Sequence, residues 1–125
     1  MELLLDTHVL LWWLADDGRL PAGTRSAIAD PGHRVLVSAA SIWEISIKRA
    51  TGKLRTPANL LAVLEECAFE TLPITAAHAE LAGALPRHHD DPFDRMLVAQ
   101  ATIEGLTIVT FDERMSAYRV SLLGH

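Results

Sequence analysis

Each stretch of this chain that reads as a β-strand is short, apolar and separated from the next by helix-forming sequence. The runs are ELLLD (2–6), RVLVS (34–38), ETLPI (70–74) and LTIVT (106–110). ETLPI is the weakest, because Pro73 suits only an edge or a strand end. Between them lie THVLLWWLA (7–15), LPAGTRSAIADPGH (20–33), AASIWEISIKRAT (39–51), NLLAVLEECAF (59–69), TAAHAELAGAL (75–85) and PFDRMLVAQATIE (92–104), and RVSLL near the end suggests a last short strand. Parallel strands need long crossovers, usually helical, so this alternation predicts an α/β domain with a central parallel sheet and helices on both faces.

With 125 residues, half of them hydrophobic, the chain fits one domain over 1–125 with a core that needs no staples. Its one cysteine, Cys67 on the apolar side of a helix, allows no internal disulfide and suits a reducing cytoplasm. Asp6 interrupts the apolar start, and the wholly apolar run from Val9 to Ala15 is too short to span a bilayer, so neither a signal peptide nor a membrane segment is expected. The net charge of −5 argues, at face value, against a polyanionic partner.

In open α/β sheets, ligands bind beyond the carboxyl ends of the strands. Asp6 ends the first strand, and Asp112 lies two residues past Thr110, so two acids reach the same sheet edge. Glu44 stands at the border of the apolar face of its helix, where it is either a solvated i,i+4 partner of Lys48 or a third acid for this edge. Asp94 shares a helical sector with Leu97, Val98 and Ala101, and a carboxylate there needs either backbone donors or a cation. Four carboxylates within ~5 Å repel by roughly 3 kcal/mol per pair at a dielectric of 20. A divalent cation relieves that, and all-oxygen ligation favours Mg²⁺ or Mn²⁺ over zinc. Thr7, Ser38 and Thr110 place hydroxyls near the same strand ends, for helix capping or for holding carboxylates.

HHDDPFDR (88–95) joins the two roles: Asp91 before Pro92 reads as an N-cap, and the helix it starts aims Asp94 inward. Asp90 is left out of the site.

Taken in order, DTHVLLWWL, SAASIWEISIKRATGKL, HHDDPFDRMLVAQA and IVTFDERMSAY closely resemble PIN-domain ribonucleases of the VapC toxin type. The resemblance covers almost the whole chain. It implies a three-layer α/β/α domain and an acidic, Mg²⁺- or Mn²⁺-dependent endoribonuclease site, with Asp6, Glu44, Asp94 and Asp112 as the acids. Thr110 takes the position of a strand-end hydroxyl supporting Asp112, and Asp91 that of a cap. The resemblance also implies an RNA substrate, a VapB-type antitoxin that covers the site, and a homodimer. The acids are expected to hold one or two ions that polarise the scissile phosphate and activate a water for in-line attack.

Setting the four acids aside changes the net charge from −5 to −1, which reopens RNA as a partner. Lys48, Arg49, Lys53 and Arg55 cluster after Glu44, and Arg87, Arg95 and Arg114 accompany the other acidic blocks; they either form a solvated surface or follow an RNA backbone. His88 and His89 are adjacent and read as surface or RNA-facing residues rather than a metal pair. His8 either faces the site or is a satisfied buried histidine. Trp12, Trp13 and Trp43 read as core, with one of the first two available to a partner surface. The competing readings are a catalytically inactive PIN-like domain and a receiver-like regulatory domain. A receiver would need paired acids after the first strand and a late lysine, yet Asp6 stands alone there and Lys53 is the last lysine.

Overall fold

Five parallel strands form the sheet in the order β3-β2-β1-β4-β5. The computed structural model describes residues 1–124. The strands are β1 (Glu2–Leu5), β2 (Arg34–Ser38), β3 (Glu70–Leu72), β4 (Thr107–Val109) and β5 (Ser121–Leu123). The helices are α1 (Thr7–Leu14), α2 (Ala22–Ala29), α3 (Ala39–Ala50), α4 (Leu60–Glu66), α5 (Ala76–Ala84) and α6 (Pro92–Glu104), with a 3₁₀ turn over Glu113–Ala117 that the sequence did not announce. The expected α/β architecture with a parallel sheet is therefore the observed one. A receiver-like domain orders its strands 2-1-3-4-5, so the observed order removes that alternative.

The central strands β1, β2 and β4 are largely buried on both faces, as parallel strands are, and their side chains alternate between two cores. Leu3, Leu5, Val35, Val37 and Val109 meet α1 to α4 on one face, through Val9, Leu10, Ile28, Ile45 and Leu64. Leu4, Leu36 and Ile108 meet Leu97, Val98 and Ala101 of α6 on the other, with Met115 and Tyr118. At the amino ends of the strands, Arg34 on β2 pairs with Glu2 and Glu70 on the flanking strands. β3 is an exposed edge that stops before Pro73, as a strand carrying proline must.

Trp12 and Trp13 are half-buried against the first core, but Trp43 is 62% exposed and meets the Phe93 ring in a T-shaped arrangement at 5.5 Å, so it is not core. It lies on the outward side of α3, whose inward residues are Ala40, Ser41, Glu44 and Ile45. Among the described residues, no helix is long and apolar enough to cross a membrane.

Candidate active site

All four acids sit at the carboxyl end of the sheet, each delivered by a different element. Asp6 follows β1 and caps α1: Oδ1 accepts from the Val9 N–H at 2.8 Å, and Oδ2 accepts from the Thr110 hydroxyl. It is only 3% exposed, and burial raises its carboxyl pKa, with the two hydrogen bonds opposing. Thr110 Oγ1 also accepts from the Asp112 N–H at 3.1 Å. One hydroxyl thus ties the Asp6 side chain to the Asp112 backbone, a wider role than the expected support of Asp112 alone.

Glu44 is buried on α3, where its carboxylate accepts from the Thr7 hydroxyl at 2.7 Å and from Lys48 Nζ at 2.8 Å. The i,i+4 pair with Lys48 exists, but it is not a solvated surface pair. Ser41, which sequence reasoning passed over, places its hydroxyl 3.1 Å from that of Thr7. Ser38 caps α3 by accepting from the Ala40 N–H at 3.0 Å, so its hydroxyl serves the helix that carries Glu44 rather than a carboxylate.

Asp91 caps α6 as its place before Pro92 requires, accepting from the Phe93 and Asp94 N–H groups at 2.8 and 3.4 Å. Asp94 then points inward, in the first turn of α6. Burial first, then the charges of Asp91 and Asp6, push its pKa up to about 7, against the opposing influence of His89. Asp112 is the opposite case. It caps the 3₁₀ turn, and the Arg114 guanidinium at 2.9 Å holds its pKa down to about 2.

His89 was not expected in the site. It is 3% exposed, with Nε2 at 2.9 Å from Asp94 Oδ2 and 3.1 Å from Asp112 Oδ2. His89, Asp94 and Asp112 offer ligand atoms within 4.8 Å of one another. The backbone selects the tautomer, however. The Asp91 N–H donates to His89 Nδ1 at 3.1 Å, so Nε2 carries the hydrogen and faces the carboxylates as a donor. His88, its neighbour, is exposed and meets the Tyr118 ring edge-on at 5.1 Å. Adjacent residues on an extended loop point in different directions, and that was the one sequence signal that a member of the pair could turn inward.

Arg95 also departs from expectation. Its guanidinium donates to the carbonyls of Ala82, Leu85 and Pro86 at 2.9, 3.0 and 3.1 Å, so it clamps the loop before α6. The other cations divide. Lys48, Lys53 and Arg55 line one groove together with the exposed His8 and with Trp12, whereas Arg49 lines a separate hollow between α3 and α4.

Residues 3–120 match the family described as "PIN domain". The chain belongs to the PIN domain family. It is 32% identical over 120 residues to Ribonuclease VapC22 of Mycobacterium tuberculosis, an alignment covering 94% of this chain and 92% of that one. That relationship makes it a PIN domain of the VapC type. Two solved structures share the fold. One is VapBC2 from Rickettsia felis bound to a promoter DNA fragment, with a TM-score of 0.73, 14% identity and 98% of each chain covered. The other is DNA-bound VapBC from Salmonella typhimurium, with a TM-score of 0.70, 20% identity, and 98% of this chain and 97% of that one covered.

The raised carboxyl of Asp94 links the stability of this PIN domain to pH. A folded-state pKa of about 7 against roughly 3.9 in the unfolded chain means that the fold keeps a proton the unfolded chain releases. Stability is then fully present below about pH 4 for this group and is lost as pH rises through about 7. Thermal melts of metal-free protein should show Tm falling over that window, and Asp94→Asn should flatten the fall; an equal slope in the variant would refute the assignment. Arg95→Lys keeps the charge but loses the planar fork. It should cost about 1–3 kcal/mol in urea unfolding and leave the salt dependence of RNA binding unchanged. A shallower salt slope would return Arg95 to the RNA surface.

Proposed function

We propose that this PIN domain is an endoribonuclease that works with Mg²⁺ or Mn²⁺ and serves as the toxin of a toxin–antitoxin pair. The convergence of Asp6, Glu44, Asp94 and Asp112 from four elements at one sheet edge carries this reading. The donor set suits a hard divalent cation, since the carboxylates are oxygen donors and His89 presents N–H rather than a lone pair. Asp94 adds an observation of its own: its pKa near 7 reflects burial beside other carboxylates, the condition a cation relieves. Asp6, Glu44, Asp94 and Asp112 would hold the ion, which supplies Lewis-acid polarisation of the phosphate and an acidified water.

The remaining chemistry belongs to the chain. Thr110 and the Val9 N–H fix Asp6, Thr7 and Lys48 fix Glu44, and Arg114 fixes Asp112, so three acids are oriented before substrate arrives. His89 has Nδ1 occupied by the Asp91 N–H and its hydrogen on Nε2, so it is not poised to take a proton from a ribose 2′-hydroxyl. Hydrolysis by water fits this arrangement, leaving a 5′-phosphate on one fragment and a 3′-hydroxyl on the other.

An RNA substrate, a VapB-type antitoxin over the site, a homodimer and a cytoplasmic location complete the proposal. They are supported by the likeness to a protein named as a ribonuclease and to toxin–antitoxin complexes. No observation favours the inactive-domain alternative: the Asp94 carboxyl feels the charges of Asp6 and Glu44, and it shares His89 with Asp112. Lys48, Lys53 and Arg55 remain RNA-contact candidates by position; Arg49 is set apart from the acids.

Sequencing RNA ends after brief expression is the direct test. The parent should give defined new ends carrying 5′-phosphate and should arrest growth. Asp6→Asn and Asp94→Ala should each lower cleavage at least ~100-fold while keeping antitoxin binding. Undiminished toxicity in both variants, cleavage in excess chelator, or 2′,3′-cyclic phosphate ends would each overturn the reading.

A further inference from the structure

A groove of about 420 Å³ begins beside the acids and has a composition that the chemistry of the acids does not use. Its floor is apolar, from Leu11, Trp12 and Leu54, and its charged groups are Arg19, Lys48, Lys53 and Arg55 against the single carboxylate of Asp17. That carboxylate is already paired with Arg19 at 2.7 Å. A chain of net charge −5 therefore carries here a groove in which cations outnumber carboxylates four to one. The groove is continuous with the acids. A smaller cleft of about 210 Å³, lined by Asp6 and Asp112, shares His8 and Trp12 with it, and Lys48 lies on Glu44.

Trp12 stands between the two hollows. It packs on Phe111 at 5.9 Å, while the Arg19 guanidinium lies 5.5 Å from its ring centroid. The Arg19 side chain is 71% exposed but its guanidinium is held by Asp17, so an entering flat ring would have to lift that ion pair off the indole. An apolar floor with an indole wall and a rim of cations is the combination that binds a single-stranded nucleotide: the base stacks and the phosphates meet the charges. A base inside a duplex is stacked and paired already and cannot lie on a side chain.

We propose that this groove is a subsite for one unpaired nucleotide of the RNA next to the cleaved phosphate, with its base on Trp12 and its phosphates on Lys48, Lys53 and Arg55. The inference rests on the endoribonuclease reading and adds to it a residue that selects unpaired RNA. Trp12 would act by stacking, and the cations by charge alone.

Binding is measured on the full chain in an Asp94→Asn background, so that RNA stays intact, with a short single-stranded RNA, its blunt duplex and an acidic peptide of equal charge as probes. Trp12→Leu keeps an apolar side chain without a π face and should weaken single-strand binding roughly tenfold or more. Trp12→Phe should stay within about threefold of the parent, and duplex binding should move in neither variant. Lys53→Gln with Arg55→Gln should shallow the salt slope by about 1.4. Unchanged single-strand binding in Trp12→Leu would overturn the proposal, as would equal loss for single strand and duplex. Displacement of the RNA by the peptide at equal concentration would also overturn it and mark the groove as a protein-binding surface. Cleavage by the chain with Asp94 intact is assayed separately. A chain that cuts RNA while Trp12→Leu binds normally refutes the subsite alone, and a chain that never cuts refutes the nuclease reading.

Discussion

Two carboxylates about 5 Å apart repel by roughly 3 kcal/mol at an effective dielectric of 20, and this fold brings four to one edge of its sheet. The surrounding donors are arranged around that cost. Asp6 receives a backbone N–H and the Thr110 hydroxyl, Glu44 receives Thr7 and Lys48, and Asp112 receives Arg114. Asp94 has no comparable donor set: its nearest partner is His89, which it shares with Asp112. Burial of Asp94 comes first and the charges of Asp91 and Asp6 next, and the carboxyl answers by holding its proton up to about pH 7.

Capping lets the same acids serve the fold. Asp6 caps α1, Asp112 caps the 3₁₀ turn and Asp91 caps α6, so helix N-termini with free N–H groups point at the acidic edge. The positive end of a helix dipole next to a carboxylate is worth about 0.3–1 kcal/mol near a surface. Sequence local to each strand end thus builds a site and a helix start with one residue, and the crossover geometry of a parallel sheet collects these ends on one side.

That double use explains what could be read from the chain. RVLVS and PFDRMLVAQATIE gave their element boundaries because hydrophobic runs, Asp-Pro and the stop at Gly105 are local signals, and Gly105 indeed adopts a left-handed φ of 68°. Asp6 and Asp112 were legible as strand-end acids for the same reason. His89 was not, because its partner Asp112 is 23 residues away and its tautomer depends on the backbone of Asp91. Trp43 misled because hydrophobicity carries no direction, and its ring lies on the outward side of α3. Arg95 misled because a sequence shows its charge but not the carbonyls at the end of α5, which lack helical partners and draw the guanidinium in.

Those carbonyls connect the fold to the chemistry. The loop over 86–91 carries both His89 and the cap that aims Asp94, and two side chains hold it, Arg95 from the first turn of the helix that follows and Tyr118 from far along the chain. Arg95 binds its carbonyls, while the Tyr118 hydroxyl accepts from the His89 N–H at 3.1 Å and donates to the Pro86 carbonyl at 2.8 Å. Tyr118 belongs to the core under α6 and follows the 3₁₀ turn capped by Asp112. Asp94 and Asp112 therefore reach each other by two routes, directly through His89 Nε2 and indirectly through Tyr118 and the loop. A disturbance of the loop clamp alters the separation of these two carboxylates without touching either, and so Arg95 bears on the site as a positioning residue while its charge is spent on the backbone.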